Sequence, residues 1–468
     1  FLILLKKKIR IIKNEDGRKY SASTGNKVFP WNDFLFSIIM GAGRFVAPKG
    51  VLKYSSLNAG VSLSIWAACA IVSMMAALSH AELGTTFPRS GAQYYFLKRS
   101  LGPVIAVFYL WINLSSTLAG TAARDFLLAG YIMQPFYPGC FLPEMPKKCL
   151  ALAIIWCLGI LNDRGVKEVT WFQTVSTVVK MTVLCFISLT GIVLLVRGRK
   201  ENLTRFEKVF DAEVSDASQI AEAFLQGLYA YYGWGVIVRI AGELKNPSEN
   251  IPKCMVTALT HVALIYLLVN ISHLAVLTLK EIMSSDAIAV TWMGRVIPSW
   301  NGPFQLEGDL HVLLFHHLEA QTLIFASILI IPSDLIPINY VGFTDWIHLG
   351  LMMMGLFKLR FQEPHLSRPC KVRLPFVFGT MAMSLFLVLT PIITSPKMHH
   401  IYVLLFILRG LLFYLPFVHF NLGFTCFNKV ACFLQLLLNV SPADDVDEYI
   451  STEGNLQKNP PTTATKKE

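Results

Sequence analysis

Apolar residues in this chain gather into long unbroken blocks, and polar residues collect between them. The blocks at 101–123, 168–196 and 401–420 are each about the length that crosses a bilayer. A hydrocarbon core of ~30 Å needs ~20 residues of helix. Lipid offers no partner to a backbone N–H or C=O, so such blocks fold as helices. They lack the period-2 alternation of an outer-membrane barrel. Hydropathy predicts spans at 32–56, 57–82, 100–133, 149–163, 168–196, 218–242 and 255–279, then at 338–359, 374–394 and 399–421, with a further apolar run at 321–337. The first is interrupted near Gly41 and the sixth near Gly233. Residues 280–320 hold no block long enough to span. The expected architecture is an all-α polytopic membrane domain over 31–421, irregular at 280–320. A basic cytoplasmic arm at 1–30 precedes it. A cytoplasmic tail at 422–468 follows, disordered toward its Pro/Thr-rich end.

Composition agrees with that reading. Hydrophobic residues make up 54% of the 468 and charged residues 15%, whereas a soluble chain carries about a quarter charged. The net charge of +11 would suggest nucleic acid in a soluble protein. Here Lys and Arg lie mostly between the apolar blocks, where the positive-inside rule places them. Eight of them precede the first span, which puts that end in the cytoplasm. Alternation then places 134–148 outside, 164–167 inside and 197–217 outside. The last holds a glycosylation acceptor, Asn202-Leu203-Thr204. The loop 358–373 carries Lys358, Arg360, Arg368, Lys371 and Arg373, so it belongs to the cytoplasm as well. The seventh span ends outside, so an odd number of crossings must separate 280 from 358, yet two candidate blocks are present. Either 321–357 crosses once, broken at Pro332 and Pro337, or one span is missing.

The two interruptions carry the candidate chemistry. Gly41-Ala42-Gly43 and Tyr231-Tyr232-Gly233-Trp234-Gly235 break spans that lie five apart. Glycine costs a helix about 1 kcal/mol relative to alanine. Paired broken helices mark transporters built from two inverted repeats. An unwound turn frees backbone groups at mid-membrane: N–H groups for a carboxylate, carbonyls for an ammonium. A free amino acid has both. Close helix packing is the competing use of Gly-x-Gly in membranes.

Lys180 lies deep in the fifth span, where charge costs at least ~2.5 kcal/mol and signals function. It could stand in for a bound cation. Arg44, Arg124 and Arg239 are also intramembrane, and Arg44 or Arg239 could hold an acidic substrate side chain bidentately. His311, His316, His317 and Glu319 cluster without metal-site spacing and read as a polar loop. No phosphate-binding loop, dinucleotide fingerprint or nucleophile elbow occurs, so neither a cofactor nor an enzyme is expected. Nine cysteines show no zinc spacing. Cys140 and Cys149 stand apart in a polar loop, where pairing with each other or with a partner are both open.

Several segments resemble the light subunits of heteromeric amino acid transporters in solute carrier family 7. They are Gly41-Ala42-Gly43-Arg44-Phe45-Val46-Ala47-Pro48-Lys49-Gly50, Ala81-Glu82-Leu83-Gly84-Thr85-Thr86-Phe87-Pro88-Arg89-Ser90-Gly91, Arg164-Gly165-Val166-Lys167 and Gly242-Glu243-Leu244-Lys245-Asn246-Pro247. Residues 90–99 and 146–153 look like the sodium-independent aspartate/glutamate (and cystine) branch. The resemblance implies a five-plus-five inverted repeat with two added helices, located in the plasma membrane and working by alternating access. It implies that backbone around Gly41, Ala42 and Gly43, with neighbouring Arg44, and around Tyr231, Tyr232, Gly233, Trp234 and Gly235 grips the substrate head group. It also implies that Lys180 replaces an ion and that Cys140 bridges to a single-pass heavy-chain glycoprotein. The chain departs from the family pattern in lacking an eighth helix near 300–320. That departure raises a rival expectation, a non-transporting truncated relic that still binds the heavy chain.

Overall fold

The spans expected from hydropathy are helices wherever the structure, a computed structural model, describes them. It describes residues 43–88, 92–133, 136, 143–164, 166–197, 216–239, 241, 244, 246–285, 288–297 and 338–394, with single positions at Leu35, Ile39, Leu405, Leu408 and Gly410. All of these fall in one unit, Lys19–Leu412. Among the described residues there is no strand.

The helices are α1 (Gly43–Tyr54), α2 (Ala59–Thr86), α3 (Ala92–Ser100), α4 (Pro103–Met133), α5 (Glu144–Arg164), α6 (Val166–Val196) and α7 (Ala217–Ala230). After α7 come α8 (Val236–Arg239), α9 (Pro247–Val276), α10 (Leu279–Ser284), α11 (Ile288–Val296), α12 (Ile338–Gln362) and α13 (Leu374–Thr394). Four stretches are long and apolar enough to cross a membrane by length and composition among the described residues: α2, Thr177–Val196 within α6, α9 and α13. Large apolar side chains stand on the outside, including Ile71, Leu189 and Val196 at 63%, 63% and 81% exposure. An outer face this apolar is one that lipid covers.

Local chemistry sets the turns. α1 ends in a tight reversal in which Ser56 and Leu57 take φ of 53° and 55°. Asn58 then caps α2, its side chain accepting from the Val61 N–H at 2.9 Å. α2 runs 28 residues, about 42 Å at the usual rise, so it tilts or projects past the bilayer core. Pro88 stands just beyond its end. α9 opens with Pro247 in its first turn and stacks on α2 and α6. A Cβ at Gly191 of α6 would overlap Ser272 of α9, and Ser272 Oγ donates to Ile187 O at 2.8 Å. That is a close crossing of the small-residue kind.

Boundaries shift in three places. The seventh span was expected from 255, but α9 begins at Pro247 and carries Pro252 inside it. The polar Ser248-Glu249-Asn250 forms a helical turn beyond the apolar block, which hydropathy does not register. Likewise α5 begins at Glu144, ahead of the apolar run expected from 149. The third change is α3, a nine-residue helix ending in Lys98, Arg99 and Ser100 that no span predicted. Within 280–320 the described part holds only α10 and α11, of six and nine residues. Residues 298–337, where the eighth helix, the histidine cluster and the apolar run at 321–337 were in question, lie outside the described residues. So do the arm at 1–30, the glycosylation acceptor and the tail at 422–468.

Candidate functional site

The break in the sixth span is real and sharply placed. α7 stops at Ala230, residues 231–235 form turns, and α8 resumes at Val236. Gly233 takes φ of 121°, a conformation that L side chains rarely adopt. The turn borders a small, partly open cavity of about 60 Å³, enough for a few waters. Tyr232, Gly233, Trp234 and Gly235 form one wall, with Arg239 below them. α2 supplies Ser73 and His80, α3 supplies Gln93, and α12 supplies Asp345 and His348.

The lining is mostly apolar, but several polar side chains converge on it. The His80 ring meets Trp234 edge-on, centroids 4.8 Å apart, and its Nδ1 lies 3.3 Å from Ala76 O. Tyr109 of α4 donates to Gln93 Oε1 at 2.6 Å and packs against His348 at 4.4 Å between centroids. Ser116 Oγ donates to Asp345 Oδ1 at 3.0 Å. Arg239 faces Tyr232, Tyr109 and Asp345. Its Nε has no hydrogen-bond partner, and neither has His348 Nε2. A buried guanidinium N–H without an acceptor is costly.

Of the residues expected from sequence, Tyr232, Gly233, Trp234 and Gly235 come together around the cavity. Tyr231 lies on the far side of the turn, fully buried, with its hydroxyl donating to Trp66 O at 3.4 Å. Gly43 and Arg44 open α1, although the side chain of Arg44 is outside the described residues, as are Gly41, Ala42 and Cys140. Lys180 lies in mid-helix on α6, and Arg124 lies on α4. The side chains of both fall outside the description. Cys149 is an exposed residue near the start of α5. The sequence reading missed His80, Gln93, Asp345 and His348. Lone polar residues inside apolar spans were the available signal, and Asp345 and His348 fall one turn apart on one helix.

A second polar centre, at the C-terminal end of α2, ties that helix to the C-terminal end of α12. Glu82, fully buried, accepts from Arg360 Nε at 2.9 Å and from the Val372 N–H at 3.0 Å, with Arg360 Nη2 closing a bidentate pair. Arg368 adds a second cation, its Nε 3.7 Å from Glu82 Oε1. Arg368 also donates to Leu359 O and Glu363 O.

A helical membrane domain with an interrupted helix beside a small cavity that gathers polar side chains has the build of a solute carrier. The chain belongs to the amino acid permeases, and within them to solute carrier family 7. The amino acid permease family matches residues 34–300. Solute carrier family 7 member 13 of Mus musculus is 48% identical over 456 residues, covering 90% of this chain and 95% of that protein. Member 12 of the same family and species is 47% identical over 456 residues, covering 90% and 98%. The b(0,+)-type amino acid transporter 1 of Homo sapiens is 34% identical over 449 residues, covering 88% and 91%.

Proposed function

We propose that this chain is the light subunit of a heteromeric, sodium-independent amino acid transporter or exchanger of the plasma membrane. The observation that carries the proposal is the unwound turn Tyr231–Gly235 opening onto the cavity beside Arg239. Freed backbone groups there suit an amino-acid head group, and the free Nε of Arg239 suits a carboxylate on the substrate side chain. Acidic amino acids and cystine, which both carry such a second carboxylate, are the proposed substrates. The relatives' names support amino acids as the solute class.

In this reading the fold is the five-plus-five inverted repeat with two added helices, spread over 31–421. The segment Gly41–Arg44 forms the other half of the site, and the carrier works by alternating access. Lys180 takes the place of a coupling ion, and Cys140 bridges to the heavy-chain glycoprotein. The arm at 1–30 and the tail at 422–468 lie in the cytoplasm.

The test is uptake of labelled aspartate, glutamate and cystine in sodium-free medium by cells co-expressing a heavy chain, with surface amount measured in parallel. Saturable uptake is expected. Normal surface delivery without uptake of any amino acid would favour the relic that only binds the heavy chain.

A further inference from the structure

Tyr266 lies in the membrane half of α9 and is 1% exposed. Its ring stands edge-on to Trp66 of α2, centroids 5.8 Å apart at 84°, and 5.1 Å from Tyr231. Aromatic contacts on two sides hold it in one orientation. Its hydroxyl is thereby delivered to two carbonyls, 3.1 Å from Ala230 O and 3.3 Å from Ile39 O. Ala230 is the last residue of α7 before the unwound turn. Ile39 comes two residues before Gly41. The last carbonyls of a helix lack intrahelical donors. In a continuous helix the Ala230 carbonyl would take the N–H of Trp234, and Trp234 lies in the turn.

One phenolic proton shared between two acceptors makes a three-centre bond. It joins the end of α7 to Ile39 in the first span through a group on a third helix. A phenol brings no charge, so it neutralises nothing and competes with no ion. It can also lean toward either carbonyl as the two ends shift, without leaving itself unpaired.

We infer that Tyr266 is a positioning residue of the transport site. Its O–H ties the Ile39 and Ala230 carbonyls together and so sets the spacing of the backbone groups that hold the substrate head group. The inference rests on the reading of the two breaks as the substrate site. Tyr266→Phe removes the hydroxyl and keeps the ring against Trp66 and Tyr231, so the fold survives. Two measurements separate the inference from that reading.

The first is uptake kinetics of wild type and Tyr266→Phe at matched surface amount. The expected result is a rise in KM on the order of tenfold with little change in maximal rate, and a melting temperature lowered by no more than a few degrees, as for loss of one buried hydrogen bond. The second needs no transport: peptide-resolved hydrogen exchange on the purified heavy-chain complex. Faster exchange confined to the segment following Ala230 is expected in Tyr266→Phe. Unchanged exchange there, or an unchanged KM in a chain that transports, overturns the inference. A wild-type chain that transports nothing, yet shows the local change in exchange, keeps the tie and removes the substrate-site reading.

Discussion

Arg239 concentrates the account at the scale of single residues. Sequence already singled it out as a cation in an apolar span, and the structure puts it on the cavity wall with Nε unpaired. Glutamine at this position keeps donors but loses charge and fork geometry. Arg239→Gln is expected to weaken uptake of aspartate and glutamate by ~10-fold or more, the worth of a charge-assisted hydrogen bond. Competition assays at matched surface amount check this, with a neutral amino acid as the reference competitor. Equal loss for acidic and neutral competitors would mean that Arg239 only supports the fold. The other cavity residues were less legible. His80 sits in α2 among alanines and serines, and Asp345 sits in α12 beside Trp346. Each reads singly as a tolerated polar residue, and only the packing of α2, α3 and α12 shows that they face one space.

Between elements, the buried Glu82 carboxylate fastens α2 to α12 and to the loop that follows it. Arg360 and Arg368 are 7% and 6% exposed at their side chains, so this pair is screened little by solvent. Removing one partner of a buried pair leaves an uncompensated charge and costs ~3–5 kcal/mol, whereas apolar replacement of both is near neutral. Glu82→Ala is therefore expected to lower the melting temperature of the purified protein. A Glu82→Leu, Arg360→Leu double variant should recover part of that loss, the remainder being the Arg368 charge left without its carboxylate. A double variant as unstable as the single one would show that the loop, not the ion pair, carries the contact. Sequence pointed to these arginines for another reason, as positive-inside markers of 358–373. Two of the five bases are in fact buried partners of Glu82, which leaves Lys358, Lys371 and Arg373 as the exposed ones. Hydropathy found the spans because burial in lipid selects long apolar runs. It missed α3 and the first turns of α5 and α9 because those segments extend beyond the apolar blocks, where polar residues are tolerated.

For the molecule as a whole, orientation is the property on which the transport reading depends. A cytoplasmic 358–373 loop requires an odd number of crossings after residue 280, a requirement that falls on residues outside those described. His365 is exposed in this loop. In a variant with reactive cysteines removed, His365→Cys should react with a membrane-impermeant maleimide only after permeabilisation. Labelling in intact cells would place the loop outside and break the topology. The native Cys370 is a poor probe for this purpose. Burial, and then the nearby Glu82 carboxylate, push its thiol above the usual range, so less of it is reactive thiolate at neutral pH.

A chain that moves amino acids by way of the cavity at the α7–α8 break will exchange them across a membrane that holds no other protein but its heavy chain. The purified heavy-chain complex would be reconstituted without sodium, loaded with unlabelled glutamate or cystine, and offered the labelled amino acid outside. Saturable entry is expected, faster with internal substrate than without, and depressed by Arg239→Gln. Entry no faster than into protein-free vesicles, at a confirmed level of folded and reconstituted complex, would contradict it.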